Sequence, residues 1–396
     1  MTKLFEPERH LRTAALAWSE AEARAAIAEI VADAVSHFDP ANLWPVHPQD
    51  DMPFPTAGLY LGASGVVLAL ETLKREGAAD YEYDFRPVLP ALIEHDRLWL
   101  QAMPLGVHAS LLMGDLGPML VAMRLAPGAE LADRIFARCT DNNALPPLEL
   151  VWGTSGSMLA CLFLHQLTGE QRFVELYRTQ AARLLSALDE PRACRLWTVD
   201  IYGSTRRQMG VVHGFAGNMF ALIRGWRWLD PAQQALIAAV AEETLAANAL
   251  RGDEGVNWPT DLLQPDGELL CQICHGAPGI VTAFAEAPFS TPELEQLLIE
   301  GGRLIWTAGP LTKGSNFCHG TGGNAQALVR LYQRTGDALW LERARTLAMD
   351  AVAQCRAVRA ETGRGRYSLW SGDPGLALCL LACVRGDAWF PGLDGL

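Results

Sequence analysis

Charged residues are scarce in this sequence of 396 residues, and positive charge is scarcer than negative charge. Charged side chains make up 19% of the chain, and 32 Lys and Arg compare with 45 Asp and Glu, for a formal net charge of −13. A nucleic-acid-binding protein needs a basic stripe or patch on its surface. The charge balance therefore predicts no nucleic-acid partner.

Two targeting features are also missing. The first residues, MTKLFEPERHLRTAALAW, contain no apolar core of signal-peptide length. No uncharged run is long enough to span a membrane. The nine cysteines are odd in number and scattered through apolar runs, a usage typical of a reducing compartment. We therefore expect a cytoplasmic protein without a membrane span.

Strand-like alternation is not evident either, whereas one glycine pattern recurs along the chain. Gly-x-x-Gly followed by an apolar run begins at intervals of 39 to 62 residues, which is enough for two helices and two loops. The seven copies begin at Gly62, Gly114, Gly153, Gly214, Gly276, Gly320 and Gly372. A motif that recurs along the whole chain, each time followed by an apolar run, indicates a repeat architecture.

The segments between the motifs differ from the segments that follow them. EQRFVELYRTQAARLLSALD and PAQQALIAAVAEETLAANAL have an apolar face and a charged face, whereas GVVLALETL and GLALCLLACV are apolar nearly all round. Each repeat is thus predicted to pair an outer amphipathic helix with an inner buried helix. We expect an all-α fold, a seven-fold α/α toroid with its glycine turns at one end. An open solenoid is the alternative, but it would not need a fully apolar inner helix.

Hydrophobic residues make up 50% of the chain, which is enough to form a single large core. We therefore predict one barrel domain over residues 1–396. A helical segment over about residues 1–50 would lead into the first repeat.

Two of the seven turns carry the same unusual pair of residues before the first glycine. Cys274-His275 and Cys318-His319 occupy this place in the fifth and sixth repeats. Because equivalent positions of neighbouring repeats lie close together around a barrel axis, the two cysteines should face each other. Two thiolates and one imidazole suit a catalytic zinc ion, since three protein ligands leave a fourth position open.

Spacing alone leaves several alternatives open at these turns. Either His275 or His319 could be the third ligand. Cys271, in CQIC, could join Cys274, Cys318 and His319 in a closed structural zinc site. The two cysteines could also be ordinary buried thiols, but packing does not readily explain why Cys-His-Gly occurs twice.

A histidine and a carboxylate occupy related positions in earlier repeats. His213, in VVHGFAGN, has the same place in the fourth repeat as His319 has in the sixth. It should therefore reach the same rim, where it could act as a general acid or base. Glu149 lies four residues before Gly153, and its carboxylate could orient His213 or hold its proton.

These motifs together resemble those of the LanC family, the lanthionine cyclases, and of their eukaryotic LanC-like relatives. CHGAPG and CHGTGGNA are similar to the zinc motifs of the family, and VVHGFAGN is similar to its histidine motif. VNWPT, RLIWTAGPLTKGSNFCHG and YSLWSGDPGLAL are also similar to family segments, and the match covers most of the chain.

The resemblance implies roles for individual residues. Cys274, Cys318 and His319 would hold one zinc ion per chain, His213 would be the acid/base, and Glu149 would be its acidic partner. His275 would then be a neighbour of the zinc rather than a ligand. Lys313 matches a basic residue that contacts glutathione in the LanC-like branch. Arg364 and Arg366 have no clear family counterpart and are further candidates for substrate binding because they lie nearby in the sequence.

The activity that the resemblance implies is zinc-dependent addition of a thiol to dehydroalanine or dehydrobutyrine, which forms a thioether. The thiol would come from a cysteine of a dehydrated peptide or from glutathione. A non-catalytic binder of glutathione or thiol peptides is an alternative, in which zinc only holds the sulfur. A glycosidase on an α/α toroid is a weaker alternative, because a cysteine-rich zinc site has no place in a mechanism based on two carboxylates.

Overall fold

The fold is built almost entirely of helices arranged as inner and outer partners. The computed structural model describes residues 3–50, 52–103, 108–189 and 194–396. The inner helices are α2 (Ala63–Arg75), α4 (Leu116–Leu125), α6 (Thr154–Thr168), α8 (Phe215–Arg224), α10 (Ala277–Phe284), α12 (Thr321–Thr335) and α14 (Asp373–Arg385). The outer helices are α1 (Glu20–Ser36), α3 (Leu89–Ala102), α5 (Ala129–Asp141), α7 (Gln171–Ser186), α9 (Pro231–Ala247), α11 (Pro292–Ala308) and α13 (Ala338–Thr362).

The inner helices form a closed ring. Each inner helix contacts the next one along the chain, and α14 contacts α2, so the last repeat joins the first. An open solenoid would leave α2 and α14 apart, and the prediction of a seven-fold α/α toroid is confirmed. None of the helices in the described ranges is both long and apolar enough to cross a membrane.

The second glycine of each motif allows the turns to pack this closely. A Cβ atom on Gly65 would lie 2.1 Å from the carbonyl oxygen of Leu59 and 2.7 Å from Cβ of Leu369, which belongs to the last repeat. A Cβ atom on Gly323 would lie 1.8 Å from the carbonyl oxygen of Phe317. Only a hydrogen atom fits between the turn and the start of the inner helix at these positions.

The turns meet at one end of the ring, where their backbones bond to one another. In these repeats, the residue two places before the first glycine donates its backbone N–H to the carbonyl oxygen of the equivalent residue in a neighbouring repeat. Cys274 donates to Cys318 at 3.3 Å, and Cys318 donates to Trp370 at 2.8 Å. Trp370 donates to Tyr60 at 3.2 Å, and Tyr60 donates to Leu112 at 2.9 Å. This series of hydrogen bonds fixes which side chains lie next to each other at the rim.

Two short hairpins differ from the sequence-based expectation of an all-helical chain with loops. The strands are β1 (Val199–Ile201) paired with β2 (Ser204–Arg206), and β3 (Leu250–Gly252) paired with β4 (Gly255–Asn257), both antiparallel. Strands of three residues are too short to show the period-two alternation by which strands are predicted.

The bore of the ring is filled by residues 388–395. Asp394 contacts Arg330 of α12 at 2.6 Å, and its carbonyl oxygen accepts a hydrogen bond from Arg224 of α8 at 2.9 Å. A Cβ atom on Gly392 would lie 3.3 Å from the side chain of Leu59, next to α2. A buried segment that contacts repeats one, four and six together lies across the axis of the ring.

Candidate metal centre

Three of the predicted site residues lie together at the rim. The sulfur atoms of Cys274 and Cys318 and a ring nitrogen of His319 all lie within 4.8 Å of one another. This is the one such group of three His, Cys, Asp or Glu residues within the described part of the chain. The repeat therefore brings together two cysteines that are 44 residues apart in the sequence.

The chemistry of this donor set fits zinc. Burial and the neighbouring Cys274 raise the pKa of Cys318. Burial also opposes ionisation of Cys274, but its hydrogen bond with Cys318 and the nearby imidazoles of His275 and His319 lower the pKa of this thiol. Two thiolates at this distance repel each other, so a divalent cation between them would let both ionise. Two sulfurs and one imidazole nitrogen are ligands that zinc prefers.

The two other residues considered for this site lie outside the cluster. Cys271 is buried, and burial raises the pKa of its thiol to about 12. Its backbone carbonyl accepts a hydrogen bond from Asn324 at 3.0 Å. His275 is not part of the three-residue cluster, and burial lowers the pKa of its imidazole. The geometry favours the three-residue site over a closed site that includes Cys271.

Two hydrogen-bond donors contact the sulfurs, and sequence analysis did not find them. The hydroxyl group of Tyr60 donates to Sγ of Cys318 at 2.8 Å, and Nε2 of Gln272 donates to Sγ of Cys274 at 2.8 Å. Tyr60 is 258 residues from Cys318 in the sequence. The only signal that could have found it is its repeat position, which is the same as that of the two cysteines.

His213 and Glu149 form the predicted pair. Nδ1 of His213 lies 2.8 Å from Oε2 of Glu149. Glu149 is fully buried, and its carboxylate accepts hydrogen bonds from the backbone N–H groups of Val151, at 2.9 Å, and of Trp152. Because the carboxylate is an acceptor, Nδ1 of His213 is the donor, which leaves Nε2 free to exchange a proton.

The β1–β2 hairpin places an aromatic residue beside this histidine. Tyr202, at the hairpin tip, has a φ of 51° and an exposed side chain. Its ring meets the ring of His213 edge-on at 5.5 Å, and its hydroxyl group accepts a hydrogen bond from Trp152 Nε1 at 2.8 Å. Tyr202 and His213 line one cavity of about 380 Å³, together with Arg206, Gln208 and Asp261 among others. Sequence analysis missed this contact because the hairpin was not predicted.

The three predicted basic contacts have different surroundings. Lys313 is exposed. Burial raises the pKa of Cys318, and the positive charge of Lys313 acts in the opposite direction. Arg366 is paired with Asp50 and lines a cavity of about 250 Å³. Arg364 is half-buried, and its carbonyl accepts a hydrogen bond from Thr362. Of the three, Lys313 is the one whose charge acts on the cysteine cluster.

The carboxylates that a glycosidase would need have other partners. Asp115 binds Arg138 at 2.8 Å, and Glu149 binds His213. Asp373 accepts a hydrogen bond from the backbone of Arg366 at 3.3 Å, and burial raises the pKa of Asp373 to about 6. Each of these acids is held by a partner within the fold, so the geometry does not favour a pair acting across a cleft.

Comparison with known proteins gives one consistent result. The model of the family described as "Lanthionine synthetase C-like protein" matches residues 129–393. LanC-like protein GCL1 of Arabidopsis thaliana is 27% identical over 259 residues, which is 62% of this chain and 57% of that protein. Glutathione S-transferase LANCL1 of Danio rerio is 26% identical over 211 residues, which is 50% of each protein. The chain thus spans about half the length of the curated relatives it matches.

The fold also matches a solved structure. Nisin cyclase superposes with a TM-score of 0.62 at 15% identity, over 90% of this chain and 92% of that one. At this identity, the match concerns the toroid and its closure.

Proposed function

Because the chain belongs to the lanthionine synthetase C-like family, we propose that it is a zinc-dependent enzyme that adds a thiol to a dehydroamino acid to form a thioether. One observation carries the proposal. The cluster of Cys274, Cys318 and His319 includes the turn of repeat five, which adjoins the turn of His213, and His213 is paired with Glu149. A cluster that only stored or displayed a metal would not need an acid/base pair on the neighbouring repeat.

Cys274, Cys318 and His319 are the residues that would hold one zinc ion per chain. Bound zinc would keep a substrate thiol in its thiolate form at neutral pH, as a zinc ion does for coordinated thiols. Three protein ligands leave room for one sulfur from the substrate. The two cysteines lie just before the N-termini of α10 and α12, where the helix dipole favours negative charge on sulfur.

His213 is the residue that would deliver the proton. Addition of a thiolate to the β-carbon of dehydroalanine or dehydrobutyrine leaves negative charge that is relieved by protonation of the α-carbon. Glu149 holds Nδ1–H of His213, so that Nε2 can take up the proton that the substrate thiol loses and pass it to the α-carbon. Fixed by two backbone N–H groups, Glu149 keeps the imidazole in one orientation.

The substrate would be a dehydrated peptide or protein, and the thiol would come from a peptide cysteine or from glutathione. The name of the Danio rerio relative refers to glutathione. Lys313 would bind a carboxylate of the thiol donor, and Arg364 and Arg366 would contact the same substrate. All nine cysteines are buried and free, which supports a reducing compartment such as the cytoplasm.

The test is addition of glutathione or of a cysteine peptide to a dehydroalanine peptide, followed by mass spectrometry. We expect His213→Asn to keep zinc and thiol binding and to lower the rate by about 10²–10⁴, the usual contribution of general acid–base catalysis. His165→Asn is the matched control, because His165 lies at the far end of α6 and bonds the carbonyl of Glu170.

Two results would contradict the proposal. A His213→Asn protein as fast as wild type would remove His213 from the reaction. A wild-type protein that binds zinc and thiol but joins no thiol to any dehydroamino acid would instead be a binder.

A further inference from the structure

Each of the two cysteine sulfurs in the metal cluster accepts one hydrogen bond from a side chain outside the cluster. Tyr60 bonds Cys318 and Gln272 bonds Cys274, both at 2.8 Å. The donors reach the sulfurs by different routes, since Tyr60 comes from repeat one and Gln272 lies two residues before Cys274. Neither is a metal ligand, and neither has been given a role above.

Both donors are held in place by their surroundings. The ring of Tyr60 stacks on Trp370, with centroids 5.1 Å apart and planes 24° apart, and its backbone belongs to the hydrogen-bonded series at the rim. Gln272 is buried, and its backbone exchanges two hydrogen bonds with His275, at 3.0 and 3.1 Å. This tight turn folds the side chain of Gln272 back onto Cys274.

The proposed reaction creates a problem of selection among sulfurs. Two protein thiolates and one substrate thiolate would lie close to the same electrophile. An electrophile that accepts the substrate sulfur would also alkylate Cys274 or Cys318 and inactivate the site. The protein sulfurs must therefore be poorer nucleophiles than the substrate sulfur, although all three are thiolates.

We propose that Tyr60 and Gln272 are positioning residues that suppress the nucleophilicity of Cys318 and Cys274, so that the substrate sulfur is the one that reacts. This inference rests on the proposed function. A hydrogen bond to a charged acceptor is about twice as strong as a neutral one. Alkylation removes the negative charge of the sulfur, so this bond is weakened in the transition state and the reaction is slowed.

The experiment compares alkylation of the two cysteines by iodoacetamide in zinc-loaded wild type, Tyr60→Phe and Gln272→Met. The reagent forms an S–C bond and releases iodide, and peptide mass mapping reports each cysteine separately. Phe keeps the ring that stacks on Trp370, and Met keeps the approximate length of Gln without its donor. Zinc content is measured before each reaction, so that only loaded protein is compared.

We expect Tyr60→Phe to speed alkylation of Cys318 on the order of tenfold and to leave Cys274 unchanged. Gln272→Met should speed alkylation of Cys274 to a similar extent and leave Cys318 unchanged. Each variant thus contains its own control, because the sulfur that keeps its donor reports the access of the reagent and the integrity of the fold. If one variant fails to fold, the other still tests the inference.

Two outcomes would overturn the inference. Equal acceleration at both sulfurs would show that the variant merely opens the site, and unchanged rates at both sulfurs would show that the hydrogen bonds do not control reactivity. If zinc is bound and the rates are unchanged, the inference alone falls and the proposed function stands. If wild type binds no zinc, both fall.

Discussion

The turns of repeats five and six share their backbone arrangement with those of repeats seven and one, yet they carry different side chains. We call residues 274–276 and 318–320 the metal turns, and residues 60–62 and 370–372 the aromatic turns. The same series of backbone hydrogen bonds runs from Cys274 through Cys318 and Trp370 to Tyr60. At the metal turns the equivalent side chains are thiols that meet an imidazole, whereas at the aromatic turns they are two stacked rings.

This difference shows that the structure of the rim and its chemistry depend on different parts of the turn. The glycines and the backbone bonds fix a side-chain position on each repeat, and the residue type at that position supplies the chemistry. The two kinds of turn are also connected, because the hydroxyl group of Tyr60 reaches the sulfur of Cys318. The aromatic turns are thus neighbours of the metal cluster as well as parts of the barrel.

The largest expected effect comes from converting a metal turn into an ordinary one. Cys274→Ala and Cys318→Ala should each abolish zinc binding, because two remaining ligands do not hold zinc firmly. The fold should persist, since other repeats place Trp or Tyr at the same position. Metal analysis and circular dichroism check both points. Cys271→Ala is the matched control, and loss of zinc in that variant would point instead to a closed site containing Cys271.

A second change attacks what the two kinds of turn have in common. Gly323→Ala would place a Cβ atom 1.8 Å from the carbonyl oxygen of Phe317, so the inner helix must move away from its turn. We expect a loss of about 3 kcal/mol or more in the free energy of unfolding, the upper range for overpacking. Gly128→Ala is the control, because no atom lies within 4 Å of its added Cβ. Equal stabilities in urea would contradict the close-packing argument.

A third change concerns a carboxylate near Gly58, just before the aromatic turn of repeat one, where an added Cβ would lie 3.3 Å from Oδ1 of Asp96. Asp96 is fully buried, and its side-chain oxygens have no hydrogen-bond partner within the described residues. Burial raises the pKa of Asp96 to about 8, and the nearby Asp115 adds to the shift. The folded protein therefore keeps this proton up to about pH 8, whereas the unfolded chain releases it near pH 4. Stability attributable to Asp96 should fall as the pH rises through this window.

Asp96→Asn should remove this pH dependence. Relative to wild type, we expect the variant to gain roughly 3–4 kcal/mol of stability between pH 5 and pH 8, close to 1.36 kcal/mol for each pH unit. Urea unfolding at the two pH values measures the gain, and Asp80→Asn, at an exposed position, is the control. Parallel pH profiles for wild type and Asp96→Asn would show that Asp96 ionises normally.

The smallest expected effect belongs to Lys313, on the metal side of the rim. If it binds a carboxylate of the thiol donor, Lys313→Ala should raise KM about fivefold, or ~1 kcal/mol, and change kcat little. Lys74→Ala is the control, since Lys74 bonds the carbonyl of Tyr81. Unchanged kinetics with both glutathione and cysteine peptides would leave Lys313 as a solvated surface residue.

Much of the architecture could be predicted from the sequence because one pattern carried it. The second glycines, such as Gly65 and Gly323, are required by contacts that recur in every repeat. The repeat could therefore be recognised from the glycine pattern in the sequence. The hairpins were missed because strands of three residues contain too little periodicity. The filling of the bore by residues 388–395 was also missed, because it depends on contacts with three distant repeats.

The site was predictable where repeat position sufficed. Cys274 and Cys318 are adjacent because the ring places equivalent residues side by side. His213 and Glu149 lie on neighbouring repeats but at different positions before their glycines, so their contact was a weaker expectation. Tyr60 and Gln272 were missed because their roles depend on the direction of one side chain rather than on spacing. The predicted catalytic, metal-binding and substrate-binding roles stay predictions until the variants are measured.

Because the ring closes through its first and last inner helices, one helix is synthesised long before its partner. Helix α2 begins at residue 63 and its partner α14 at residue 373. Ribosomes add roughly 5–20 residues per second, so α2 waits roughly 15–60 s for the helix that covers it. During this time the apolar side of α2 is exposed on the nascent chain, where chaperones bind. We therefore expect newly made chains to depend on chaperones until residues 388–395 have entered the bore.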